Sequence, residues 1–138
     1  MIVPVSPRLI RLRLCNPLRS SPWQCEPVTV AMVQTCLREG ALRSAPCSVD
    51  DDAWIHAERI AHLVVSGWED HIAIDVGVPS MGSTPSWPVE DGNHRLFASF
   101  LRRDREIIAE IGGDIDYAIE LLEISPEVAE NSLATYGW

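Results

Sequence analysis

Residues 71–78, His-Ile-Ala-Ile-Asp-Val-Gly-Val, constrain this chain more than any other stretch. Ile72, Ile74, Val76 and Val78 alternate with Ala73, Asp75 and Gly77. A period of two places every second side chain on one face, so the segment is a strand with one apolar side to bury. The rest of the chain must supply neighbours and a cover. Arg105–Gly113 provides a second strand, with Ile107, Ala109 and Ile111 on one face, and Trp87–Glu90 a short third. Residues 8–14, with Ile10, Leu12 and Leu14 opposite Arg11 and Arg13, read as a fourth.

Helices fall between these strands. Residues 50–66 begin in an acidic run suited to a helix N-terminus and stop at Gly67, with Trp54, Ala57, Ala61 and Val64 on one face. Pro27–Glu39 precedes Gly40 and reads as another helix. Leu96, Phe97, Phe100 and Leu101 point inward from a helix over residues 94–103. Asp114 caps a helix carrying Ile115, Ala118, Ile119 and Leu122, and Ser125-Pro126 opens a last helical turn. Residues 79–88 form a loop. The order predicts an α+β fold, a small mixed sheet with helices packed on it, as a single domain over residues 1–138.

Charge narrows the partners. Eleven basic residues against 20 acidic ones leave a net charge of −9. Binding to nucleic acid or anionic lipid depends on neutralising phosphates with cations, so such partners are disfavoured. The prolines and arginines of the first 15 residues are unlike a signal peptide, and no apolar run approaches the ~20 residues of a membrane span. The expected location is the cytoplasm. Cys15, Cys25, Cys36 and Cys47 contain no Cys-x-x-Cys pair and are expected to be reduced thiols.

The polar run Glu90-Asp91-Gly92-Asn93-His94-Arg95 sits where a strand hands over to a helix. A helix N-terminus presents unpaired N–H groups and the positive end of the dipole, which favours an anion. Gly92 lets the backbone approach a ligand, Asn93 can cap the helix, and His94 and Arg95 can donate to a phosphate. Glu90 and Asp91 can hold a metal, act as a base or orient Arg95. The plainer alternative is a capped helix in which Arg95 pairs with Asp91 and His94 lies on the surface.

The stretch His71–Val78, followed by Trp87-Pro-Val-Glu-Asp-Gly-Asn-His-Arg-Leu96 and the helix and strand to Ile111, resembles the ParB/sulfiredoxin-like superfamily. The likeness covers residues 54–111, with Asn16-Pro17-Leu18-Arg19 weakly similar to an early box of that family. It implies that Gly92, His94 and Arg95 contact a nucleotide phosphate. Asn93 stands where sulfiredoxins carry their catalytic cysteine. His94 and the lack of a later partition box set the chain apart from full-length partition proteins. The resemblance thus implies a nucleotide-dependent phosphotransferase or NTPase, or a ParB-like nuclease. ATP or CTP with Mg²⁺ would be bound, with Glu90 and Asp91 as the catalytic groups. The alternative is a non-catalytic or nucleic-acid-associated module of a phage or mobile element that acts through a protein partner.

Other residues carry weaker signals. His56 and His62 are six apart, about 120° around a helix, and no His-x-x-x-His pattern occurs, so no histidine zinc site is expected. Asp75 reads as a solvent-facing strand aspartate, or as a neighbour of Arg95. Of the five tryptophans, Trp54 and Trp87 are expected in the core or lining a pocket, Trp23 and Trp68 beside loops, and Trp138 exposed or docked on a partner.

Overall fold

Strand β2 (Ile72–Asp75) lies inside a four-stranded sheet of order β1-β4-β2-β3, in the computed structural model, which describes residues 1–135. β1 spans Ile2–Val5, β3 Val89–Asp91 and β4 Ile107–Gly112. β2 and β4 run parallel, and β1 and β3 pair antiparallel on the outside. Parallel neighbours need a long crossover, and the chain between β2 and β4 accordingly carries β3 and a helix. The alternation predicted for β2 and β4 is real: Ile72, Ile74, Val76, Ile107, Ala109 and Ile111 are all buried. The fold is α+β, with six α-helices and a mixed sheet among the described residues. Trp138 lies outside the described residues.

The alternation over residues 8–14 predicts a strand that does not form. Residues 8–14 are not a strand; Pro7–Arg13 is helix α1. Ser6 caps it by accepting from the Leu9 N–H, and Pro7 occupies the first turn. Leu12, expected on the buried side, is 60% exposed. The strand is instead Ile2–Val5, which tolerates Pro4 because it is an edge. The Ser132 hydroxyl accepts from the Ile2 N–H at 3.1 Å and donates to the Ile2 carbonyl at 2.9 Å.

The chain divides into two compact units. One holds residues 1–15, 71–92 and 105–138; the other holds residues 16–70 and 93–104. The first contains the sheet, α1, α5 (Ile115–Leu121) and α6 (Pro126–Thr135). Asp114 caps α5 as expected, accepting from the Tyr117 N–H. The Asp75 carboxylate accepts from the Gly77 N–H at 2.8 Å and so shapes the turn after β2.

The second unit is helical: α2 (Val30–Glu39), α3 (Ala53–Ser66) and α4 (Asn93–Arg102). Thr29 and Asp52 cap α2 and α3 through their side chains, and Gly40 ends α2 in the left-handed region. Val33, Cys36, Ala57, Ile60, Ala61 and Phe97 form its core. Trp54, expected in the core or lining a pocket, is 50% exposed. The buried stripe of α3 runs instead through His56, Ala57, Ile60, Ala61 and Leu63. Among the described residues no helix is long and apolar enough to cross a membrane.

Candidate functional site

The six residues singled out at the strand–helix junction part company. Glu90 and Asp91 end β3 and are exposed. Gly92 has φ +92°, and a Cβ there would sit 2.4 Å from Ile72 Cγ2, so only glycine fits. Asn93 is the first residue of α4 rather than the residue before it. Arg95, in the first turn, donates from Nη1 to the Asp70 carbonyl at 3.0 Å. His94 does not share the surface of that turn. Its ring is turned into the helical unit.

There His94 meets His56 and Trp23. His56 Nδ1 and His94 Nε2 are 2.9 Å apart, a hydrogen bond between residues 38 apart in the chain. The two rings are 5.1 Å apart between centroids and inclined by only 17°. The Trp23 indole lies over both, 4.2 Å from His56 and 4.3 Å from His94. One aromatic plane therefore covers a linked imidazole pair.

Local bonds hold each member in place. Trp23 sits in a loop closed by Ser21, whose hydroxyl donates to the Trp23 carbonyl at 3.0 Å and accepts from its N–H at 3.1 Å. Gln24 N–H donates to the Val49 carbonyl at 2.9 Å, joining this loop to the one before α3. Arg59, on α3, donates to the Ser44 carbonyl at 2.7 Å, and the Arg43 N–H donates to the Glu58 carbonyl at 3.0 Å. These bonds bring Cys47 against the start of α3, where its thiol faces the Ile55 carbonyl at 3.8 Å. Cys47 Sγ and one ring nitrogen from each of His56 and His94 then fall within 4.8 Å of one another.

The electrostatics favour neutral side chains. Burial, followed by the positive surroundings of His56, Arg59 and Arg95, pushes the His94 imidazole down to about 3. Burial also lowers His56, against the pull of Asp51 and Asp52. Burial raises the Cys47 thiol. Both imidazoles are therefore neutral at ordinary pH, each with one ring proton, and one of those two protons lies in the bond between them.

His56 is fully buried, and its Nε2 has no hydrogen-bond partner. An unsatisfied buried polar atom costs about 1–3 kcal/mol. Packing alone gives no reason to keep it, because an apolar side chain of similar size would fill the space without that cost.

No local pattern in the sequence links His56 to Cys47 or Trp23, and the spacing of His56 and His62 on α3 points to no site. The available signal was the spacing of His56 with Ile60 and Leu63, which places an imidazole on the apolar stripe of α3. All four cysteines are free thiols. A scan against protein-family models and searches of curated proteins and of solved structures find no match for this chain.

Proposed function

We propose that the segment Asp91–Arg95 binds a nucleotide phosphate, as its likeness to the ParB/sulfiredoxin-like superfamily implies. The observation that carries this reading is Gly92. Its left-handed backbone and the absence of room for a Cβ make a turn available only to glycine, directly ahead of the ten-residue helix α4. Such a turn lets an anion approach the N–H groups of the first helical turn. Arg95 stands in that turn, and its guanidinium donates to the Asp70 carbonyl.

The geometry changes the set of contacts. His94 is engaged by His56 and Trp23, so the phosphate falls to Arg95, Asn93 and the backbone. Glu90 and Asp91, exposed and adjacent in the chain, are the groups proposed to hold Mg²⁺ or accept a proton in a phosphotransferase or NTPase reaction with ATP or CTP.

A thermal-shift series with ATP, ADP, CTP and GTP, each with and without Mg²⁺, tests this. A nucleotide at ~100 times its dissociation constant stabilises the native state by about 2.7 kcal/mol. The expected result is a rise in Tm for one nucleotide that disappears in Arg95→Ala and survives in His94→Gln. No rise for any nucleotide with folded wild-type protein rejects the reading and favours a non-catalytic module working through a protein partner.

A further inference from the structure

We infer that Cys47, His56 and His94 form a binding site for a divalent transition metal of the zinc class. The inference is independent of the phosphate reading, because neither Gly92, Asn93 nor Arg95 takes part.

The donor set is specific. One thiol and two imidazoles are the ligands preferred by Zn²⁺ and Co²⁺, whereas Mg²⁺ and Ca²⁺ take oxygen. A tetrahedral ion with metal–nitrogen bonds of about 2.0–2.1 Å and a metal–sulfur bond of about 2.3 Å sets its donors roughly 3.3–3.7 Å apart. The His56–His94 pair at 2.9 Å is already close to such an edge. The three donor atoms, all within 4.8 Å, need to shift relative to one another by up to about 1.5 Å, the histidine pair opening slightly. The ligands come from the loop before α3, from α3 and from α4, so one ion would join segments far apart in sequence. Three protein ligands leave a fourth position for water or a substrate atom.

Two further observations point to an occupant. His56 is an entirely buried imidazole stacked on Trp23, and its Nδ1 is bonded only to another histidine. Trp23 stacks on both rings face-on, which fixes their orientation.

The protons balance simply. Both rings are neutral, so binding removes none from them. The proton they share moves to the far nitrogen of whichever ring carries it. Cys47 passes from thiol to metal thiolate, and its proton goes to solvent.

The test uses the full chain, stripped with a chelator and titrated with Co²⁺ and then Zn²⁺. One Co²⁺ is expected per chain, with a sulfur-to-metal charge-transfer band and the intense visible bands of a tetrahedral site, which Zn²⁺ then bleaches. Cys47→Ser should abolish the charge-transfer band. His94→Gln should weaken binding beyond the roughly 10–100-fold typical of losing a supporting residue. Cys25→Ser should change nothing. Zn²⁺ should also protect Cys47, and not Cys25, from iodoacetamide in the wild-type protein, a readout that stands even where a variant fails to fold. A wild-type protein that shows neither the band nor the protection overturns the inference. So does a band that persists in Cys47→Ser, or is lost equally in Cys25→Ser, which marks adventitious thiol binding.

Discussion

Two glycines show what can be decided at the scale of one residue. Gly40 and Gly92 both have positive φ, +66° and +92°. A Cβ at Gly40 would meet nothing within 4 Å, whereas at Gly92 it would collide with Ile72. Left-handed backbone alone costs a non-glycine residue about 1–2 kcal/mol. Gly40→Ala is therefore expected to lose about 1 kcal/mol, and Gly92→Ala at least about 2 kcal/mol more because β2 must shift. Urea unfolding of the two variants checks the order. Gly92 was legible in the sequence, since a glycine between an acidic strand end and a helix has few other uses. His56 was not legible as part of a pair. Its partner lies 38 residues away on another helix, and local spacing cannot show a contact made by packing α3 on α4.

At the scale of the element, competing local signals decided where the reading failed. Residues 8–14 alternate over only seven positions, too short a run to separate a strand from one face of a short helix. Ser6-Pro7, a cap followed by proline in the first turn, was the stronger signal, and α1 obeys it. Strands β2 and β4 were readable because their alternation coincides with a single buried face. The C-terminus of α4 contains a local conflict: it passes into Arg103 at φ 58°, where α2 has Gly40. Arg103→Gly is expected to stabilise the chain by up to about 1 kcal/mol, since the left-handed penalty exceeds the entropy glycine loses. The rise in the urea midpoint relative to wild type measures it. An unchanged or lower midpoint would show that contacts of the arginine side chain outweigh the strain.

At the scale of the molecule, the buried imidazoles couple folding to acidity. The unfolded chain takes up a proton at His94 near 6.5, the folded chain only near 3. Between those values the unfolded state binds more protons, so stability is fully present above about 6.5 and falls as pH drops towards 3. His56 acts in the same direction. In metal-free protein the loss is expected to reach a few kcal/mol. Carboxylates titrate in the lower part of the window, so the comparison is with His94→Gln, whose stability should vary less between pH 6.5 and 4. Equal slopes for the two proteins would place the His94 ring in contact with water. The whole-molecule division was the part least visible in the sequence. Neither unit is continuous in the chain, and no linker composition marks a boundary.

That discontinuity has a consequence for the order in which the molecule can be made. Synthesis proceeds from the N-terminus, and residues 71–92, which belong to the sheet unit, leave the ribosome before α4 does. Trp23, Cys47 and His56 therefore exist for an interval as an open half-site, with the apolar stripe of α3 lacking the helix that covers it. His94 and Phe97 arrive together on α4, so the step that closes the hydrophobic core of the helical unit also completes the histidine pair. Assembly of the site thus reports that the nascent chain has finished folding this unit.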